Sequence, residues 1–251
     1  AKDPCFGITR QDQDFFAVNS NQKAATAQKQ GIFSQEIAGI YVTNKNKHTF
    51  TDSDNGVRDD QESISRSKPY FDKHYGTVTP GNSSQITDGA ACILLMNRHL
   101  AKGLGLPIMG YVGEYEQIGF DPTRMGLAPA GAIAKLLKKT RLTLKHFSTI
   151  EINEAFAAQV LACVRTLASE KLMTKWFGAY SLTASIGEIS PHQINPNGGA
   201  IALGHPVGVS GMRLVITALI ELERRKDERS LVSACIGGGQ ANAMILERES
   251  L

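Results

Sequence analysis

The sequence predicts an α/β fold on a mixed sheet, and three observations support this. Strand-like and helical hydrophobic patterns alternate along residues 108–246, as is typical of a sheet with helices packed on its faces. The alternation favours a mostly parallel arrangement. The last two strand-like runs are separated only by a glycine loop at residues 237–239, which indicates an antiparallel edge. A second glycine-rich stretch, residues 195–211, precedes a strongly periodic helix.

The first hundred residues contain one clear helix and little other regular structure. Thr9 marks a helix start, and the apolar pattern runs to a stop at Gly31. Residues 43–66 are polar and irregular and indicate a surface excursion. Residues 68–84 are predicted to be extended and rich in turns. The continuous apolar run at residues 90–96 predicts a short buried strand.

The elements become regular after a candidate boundary at residues 103–107. Pro129 stands where a helix is expected to open, a position that suits proline. The predicted elements are, in order, a strand at 108–116, a helix at 129–139, a strand at 149–152, a long helix at 155–172, a helix at 208–225 and strands at 231–236 and 241–246.

The composition is that of a globular protein. Of 251 residues, 42% are hydrophobic and 20% are charged, which argues against long disorder. The formal net charge of +3 gives no argument for nucleic acid. No apolar run approaches the roughly 18 residues of a membrane span. The residues that follow Ala1 resemble neither a signal nor a transit peptide and are typical of the middle of a protein.

The four cysteines show neither CxxC pairing nor the spacing of metal ligands; they are Cys5, Cys92, Cys163 and Cys235. Two of them lie in apolar runs, which suits reduced thiols in a cytosol-like compartment. We therefore expect a cytoplasmic protein.

His205 is the first candidate for chemistry. An arbitrary buried histidine more often caps or packs against a helix than reacts. Here it lies in a glycine-rich loop ahead of a helix, where backbone amides can bind an oxyanion. A histidine beside such a site can hydrogen-bond a carbonyl oxygen or take a proton from a thiol.

Cys235 and Asn153 are the second and third candidates. A cysteine at the end of an apolar strand is usually an inert thiol, but three glycines follow Cys235, and their amides could bind a developing negative charge. Asn153 stands where a helix cap would stand. It also lies at a strand-to-helix turn with Glu154 and Phe156, where it could orient a water or a carbonyl.

These motifs together resemble the thiolase family of acyl-CoA acyltransferases. Residues 153–156, 197–206 and 235–239 match three of its active-site signatures. Residues 7–17 are similar to the start of its loop domain, and residues 76–91 to the stretch that contacts coenzyme A. The resemblance implies a layered α-β-α-β-α fold and Claisen-type acyl transfer between coenzyme A thioesters, in the direction of condensation or of thiolytic cleavage of a 3-ketoacyl-CoA.

The resemblance also implies a role for each site residue. His205 matches the histidine that activates the acyl-accepting thiol and helps bind a thioester oxygen, together with a water held by the asparagine that Asn153 matches. Cys235 matches the second cysteine, which moves the proton on the reacting carbon. The amide of Gly237 matches an oxyanion-hole donor.

Three further residues match substrate contacts of the family. Ser84 matches a coenzyme A contact, and Met125 and Phe156 match positions that line the acyl pocket. The resemblance implies no cofactor and no metal, since coenzyme A thioesters are substrates. Pro80 departs from the family, which more often has alanine there.

A larger departure is that the family's nucleophile segment, of the Asn-x-x-Cys-Ser-Ser-Gly type, is not found in these residues. The surroundings of Cys5 instead resemble the turn before the first loop-domain helix. We expect a loop domain at 1–84, a remnant of the N-terminal domain at 85–106 and the C-terminal domain at 107–251. On this interpretation these residues are part of a longer or split protein, lacking on the order of 150 residues, and are inactive alone.

Two other hypotheses remain at this stage. One is a non-catalytic acyl-CoA-binding or lipid-binding module, which the missing nucleophile favours. The other is a decarboxylating condensing enzyme, although such relatives tend to use two histidines and here Cys235 stands where the second would lie. The expected partners are acyl-CoA substrates and either a second copy, as homodimer or tetramer, or a chain that carries the N-terminal half. No nucleic acid and no membrane span are expected.

Overall fold

A four-stranded sheet with helices on both faces is the central feature of the computed structural model, which describes residues 6–44, 47–58 and 61–249. The α-helices of these residues are α1 (Arg10–Lys29), α2 (Gln61–Arg66), α3 (Arg98–Gly103), α4 (Ala128–Thr140), α5 (Ala157–Leu167), α6 (Glu170–Phe177), α7 (Ala200–Leu203) and α8 (Ser210–Arg225). The strands are β1 (Ile40–Asn44), β2 (Lys47–Thr51), β3 (Tyr111–Gly119), β4 (Thr149–Ile152), β5 (Arg229–Ile236) and β6 (Gln240–Glu247).

The sheet has the strand order β3-β6-β5-β4 and is mixed, which confirms the predicted α/β class. The expectation that it is mostly parallel is wrong, because only β4 and β5 run parallel. The three-glycine turn reverses the chain between β5 and β6, and a connection this short can join only antiparallel strands. β3 then pairs antiparallel to β6 at the far edge.

Side chains from both faces of the sheet are buried under helices. Leu231 of β5 packs in the main core with α4 and α5, whereas its neighbour Val232 packs on the opposite face with Leu214 and Leu222 of α8. Successive residues of a strand point to opposite faces. The sheet is therefore a central layer, and its loops at either end are free to build a site.

The helix α1 forms where the sequence predicts it. Thr9 and Asp12 make a reciprocal capping box, with the Asp12 amide donating to Thr9 Oγ1 at 3.0 Å. The buried face of α1 carries small residues, among them Ala17 and Ala24. These allow the helix to pack closely against α7, just ahead of His205.

Two element assignments differ from the sequence prediction. Residues 43–66, expected to be irregular, contain most of an exposed hairpin of β1 and β2 and the short helix α2. The long helix expected at residues 155–172 is two helices, α5 and α6. The side chain of Ser169 accepts a hydrogen bond from the Leu172 amide and begins a new helix there.

The prediction of a strand at residues 90–96 is also wrong. These residues form no strand in the structure, and the side chains of Leu94 and Leu95 are 77% and 74% exposed. A strand needs a neighbour to pair its backbone groups, and the described residues place none beside this segment. Within the same residues, no helix is long and apolar enough to cross a bilayer.

Candidate active site

The loops that carry the candidate residues meet at one edge of the sheet. Asn153 directly follows β4, and Cys235 is the penultimate residue of β5. Because β4 and β5 run parallel, their carboxyl ends lie at the same edge. His205 comes to this edge from the loop between α7 and α8.

A cavity of about 1040 Å³ lies at this edge. All seven residues singled out in the sequence line it, namely Ser84, Met125, Asn153, Phe156, His205, Cys235 and Gly237. The structure thus brings together residues that span more than half of the chain. Their chemical roles remain predictions.

Hydrogen bonds of Asn153 and Glu154 hold the Asn153 loop in place. The Asn153 amide donates to the Ser233 carbonyl oxygen at 2.9 Å. The next residue, Glu154, is buried, and its carboxylate accepts from Ser20 Oγ at 2.6 Å and from Asn195 Nδ2 at 2.7 Å. Burial raises the pKa of Glu154, and these hydrogen bonds act in the opposite direction. Glu154 therefore fixes the loop to α1 and leaves Asn153 free to face the cavity.

The half-buried imidazole of His205 is held at both nitrogens. Its Nδ1 lies 2.6 Å from Ser210 Oγ, and its Nε2 lies 3.4 Å from Asn153 Nδ2. Its backbone amide donates to the Gln85 carbonyl oxygen at 2.8 Å. Burial lowers the pKa of His205, and the positive charge of Arg213 lowers it further. A neutral imidazole at neutral pH is able to take a proton.

The oxygen Oδ1 of Asn153 has an unfilled bonding capacity. It is buried and has no hydrogen-bond partner among the described residues. Buried amide oxygens are nearly always paired with protein groups or with water. This oxygen can therefore accept a hydrogen bond from a water or a ligand beside His205.

Cys235 stands next to a turn that only glycine can form. A Cβ at Gly239, whose φ is +87°, would lie 2.3 Å from the Phe120 carbonyl oxygen. The space beside Gly237 is open. Burial raises the pKa of the half-buried Cys235 thiol, and a backbone hydrogen bond partly offsets this. Once deprotonated, such a thiolate is a stronger base than an ordinary one.

The predicted substrate contacts lie on the other walls of the cavity. The Ser84 amide donates to the Ala155 carbonyl oxygen at 3.0 Å, which ties this segment to the Asn153 loop. The Phe156 ring meets Phe71 edge-on at 6.2 Å. An adjoining, largely apolar cavity of about 590 Å³ shares Met125, Phe156 and Cys235 with the first. The site thus opens into a second chamber.

The two other cysteines that the structure describes do not line this cavity. Cys163 is buried, its Sγ donates to the Gly126 carbonyl oxygen at 3.2 Å, and burial raises its pKa to about 12. Cys92 is exposed and lines a different cavity. Cys5 lies outside the described residues. Across 6–44, 47–58 and 61–249, no cluster of three or more histidine, cysteine or acidic side chains could hold a metal ion.

Two residues that affect His205 are not among the residues predicted from the sequence. Ser210 contacts His205 directly, and Arg213 acts on it through its charge. Ser210 lies five residues after His205, inside the glycine-rich stretch at residues 195–211. That spacing across a loop into a helix is the signal that could have found it.

Comparison with known proteins identifies the family. The family model "Thiolase, C-terminal domain" matches residues 106–248, and "Thiolase, N-terminal domain" matches residues 4–99. The peroxisomal 3-ketoacyl-CoA thiolase B of Rattus norvegicus is 44% identical over 96% of this chain and 54% of its own length. A probable acetyl-CoA acyltransferase of Staphylococcus aureus (strain MSSA476) is 41% identical over 97% of this chain and 57% of its own length.

A solved structure gives the same result for the fold. The dimeric peroxisomal thiolase of Saccharomyces cerevisiae matches with a TM-score of 0.83 and 41% identity, over 97% of this chain and 56% of that one. The chain spans about half the length of the curated relatives it matches. The likeness confirms the predicted thiolase-like layered fold.

The expectation of a cytoplasmic location is wrong. Relatives at 41–44% identity are peroxisomal by name. The expectation depended on unpaired cysteines, and these indicate a reducing environment without saying which compartment provides it.

Proposed function

This chain belongs to the thiolase family, and from that premise we propose that it supplies the histidine, asparagine and second cysteine of a thiolase site acting on acyl-CoA thioesters. The observation that carries the proposal is the single cavity in which His205, Asn153 and Cys235 meet, with His205 Nε2 3.4 Å from the Asn153 amide nitrogen. The imidazole of His205, the thiol of Cys235 and the side-chain amide of Asn153 therefore line the same cavity.

The first half of the proposed reaction is acyl transfer to a cysteine thiol. His205 Nε2 takes the proton of that thiol, and the thiolate attacks the carbonyl carbon of the acyl donor. The bond from that carbon to the donor's sulfur breaks, and the departing thiolate takes the proton of Cys235, so that His205 stays protonated at Nε2 and Cys235 becomes a thiolate. Cys235 is the only cysteine among the described residues that lines the cavity. Cys5 lies outside the described residues, and its sequence surroundings do not resemble the family's nucleophile segment. The acyl-accepting thiol is therefore proposed to lie outside these 251 residues, and the chain to be inactive without it.

The second half is proton transfer and carbon–carbon bond formation. The Cys235 thiolate removes a proton from the α-carbon of an acetyl-CoA, and the enolate attacks the carbonyl carbon of the acylated cysteine. The bond from that carbon to the cysteine sulfur breaks, and the released cysteine thiolate takes the proton of the His205 imidazolium. The enolate oxygen is stabilised by His205 Nε2–H and by a water on Asn153, and the tetrahedral oxyanion by the Gly237 amide. Thiolysis is the same sequence in reverse.

Substrate binding is assigned to the remaining walls. Ser84 contacts coenzyme A, and Met125 and Phe156 line the acyl pocket, which continues into the apolar second chamber.

We also propose domains at 1–84, 85–106 and 107–251. The two family-model matches leave a gap after residue 99 and before residue 106, which supports the second boundary. Homodimer formation is proposed by analogy with the yeast relative, a thiolase that is dimeric by name.

A binding module without catalysis is the second candidate. The absence of the family's nucleophile segment from these residues favours it. On that alternative the cavity binds acyl-CoA and turns nothing over.

Thiolysis of acetoacetyl-CoA by the native protein that contains this chain tests the proposal. We expect the wild type to yield two acetyl-CoA and His205→Ala to lower kcat/KM by on the order of 10³ or more. His192→Ala is the matched control, because His192 is exposed and outside the cavity. Binding of acetoacetyl-CoA without turnover by the wild type would favour the module.

A further inference from the structure

The contact between His205 and Ser210 is the best-defined interaction of the site that the proposed reaction does not use. Ser210 is the first residue of α8 and is 2% exposed. The loop between the two residues folds back, because the Pro206 carbonyl oxygen accepts from the Ser210 amide at 3.0 Å. This turn brings Ser210 Oγ to 2.6 Å from His205 Nδ1.

The second partner of the serine hydroxyl decides which way this bond runs. Ser210 Oγ lies 3.3 Å from the Pro206 carbonyl oxygen, which can only accept. If the hydroxyl donates there, its lone pair accepts the Nδ1–H of His205. The neutral imidazole then has its lone pair on Nε2, the nitrogen that faces Asn153 and the cavity.

The opposite arrangement is incompatible with the proposed first step. If the hydroxyl donated to Nδ1, the neutral imidazole would carry its proton on Nε2. It could then take no proton from a thiol in the cavity, because Nδ1 would be the only free base and it faces the serine. A hydroxyl is also suited to the charged state, since it can accept Nδ1–H equally well when both nitrogens are protonated.

We propose that Ser210 is a positioning residue that holds His205 in its Nδ1–H tautomer and so presents Nε2 as the proton acceptor of the cavity. This inference rests on the proposed function for its catalytic consequence. The tautomer itself is a property of the protein that can be measured whether or not it turns over acyl-CoA.

The test uses nitrogen NMR of the native protein labelled with ¹⁵N-histidine, together with thiolysis kinetics. In the wild type we expect a protonated Nδ1 and an unprotonated Nε2 on His205. In Ser210→Ala we expect a mixture of tautomers and a kcat lower by about tenfold, with KM unchanged, the loss typical of one hydrogen bond that strengthens when charge develops. Ser210→Thr keeps a hydroxyl and is expected to restore both readouts.

The matched control is Ser230→Ala. Ser230 is fully buried, and its hydroxyl likewise has one side-chain partner, Thr149 Oγ1 at 2.7 Å, and one backbone carbonyl oxygen at 3.1 Å. It lies outside the cavity, so its loss is expected to leave the His205 tautomer and kcat unchanged.

Two results would overturn the inference. One is a wild-type His205 protonated at Nε2, which needs no variant and so holds even if Ser210→Ala does not fold. The other is a Ser210→Ala protein with unaltered tautomer and kcat. A wild type that shows the Nδ1–H tautomer but no thiolysis would instead contradict the proposed function and leave the positioning role standing.

Discussion

The buried carboxyl group of Glu151 is a feature of an individual residue that is expected to affect stability. Glu151 of β4 is fully buried, and neither carboxylate oxygen has a hydrogen-bond partner among the described residues. Burial raises the pKa of Glu151 to about 8, although the charge of Arg213 acts against this. The Arg213 guanidinium nitrogens are also buried without a partner in the described part of the chain.

This predicts how stability depends on pH. Since the folded state raises the pKa of Glu151 from 4.5 to about 8, folding favours its protonated form, and that stability is fully present below about pH 4.5 and is lost as pH rises through 8. We expect Glu151→Gln to match the wild type at pH 4 and to exceed it by a few kcal/mol at pH 8.

Urea denaturation at both pH values measures the difference. Glu188→Gln, at an exposed carboxyl, is the control. Parallel pH profiles for Glu151→Gln and the wild type would contradict the burial argument.

The sequence identified the residues whose chemistry is rare in its setting. His205 and Cys235 stand among glycines, and Asn153 at a strand end, so local pattern was enough to select them. Ser210 looks like any helix-start serine until the loop fold places it on His205. Glu151 and Arg213 are 62 positions apart in the chain, and their interaction depends on α8 packing over β4.

At the scale of elements, local signals predicted single helices and strands better than they predicted how the strands pair. The capping box at Thr9 and the exact span of β4 follow from neighbouring residues. Strand direction follows from pairing between distant segments, and the break between α5 and α6 depends on a cap that the continuous apolar pattern hid.

A glycine inside α4 tests how closely this helix packs on the sheet. A Cβ at Gly131 would lie 2.4 Å from Phe177 Cε1 and 2.8 Å from Ile118 Cδ1. We expect Gly131→Ala to lower the free energy of unfolding by about 1–2 kcal/mol, because overpacking outweighs the helical preference for alanine.

Gly211→Ala is the matched change in α8, where an added Cβ meets nothing within 4 Å. There we expect a gain of about 0.5–1 kcal/mol. Thermal or urea unfolding measures the free energy of unfolding of both variants. A Gly131→Ala protein as stable as the wild type would contradict the close packing of Gly131 against Phe177 and Ile118.

At the scale of the whole molecule, the segment that follows Ser84 exposes several large apolar side chains. We call them the apolar face: Ile86, Leu94, Leu95, Leu100 and Leu104. Contiguous apolar patches on a protein surface usually mark an interface. The hydrophobicity of this segment is evident from the sequence, whereas its exposure is not, because exposure depends on what lies beside the segment.

We expect the 251-residue chain by itself to associate through this face. The double substitution Leu94→Lys, Leu95→Glu should weaken self-association at least tenfold, as measured by sedimentation. Phe15→Lys, at an exposed aromatic on α1 away from the face, is the control. Equal association of all three proteins would show that the apolar face is not the contact.

Exchange of the acetyl protons of acetyl-CoA with deuterium from D₂O, catalysed by the native protein, tests the proposed role of Cys235 most directly. We expect the wild type to exchange these protons and Cys235→Ala to exchange them at least 10³-fold more slowly while still forming the acyl-enzyme. Exchange that persists in Cys235→Ala at the wild-type rate would contradict this role, since the cavity would then hold some other base for the reacting carbon.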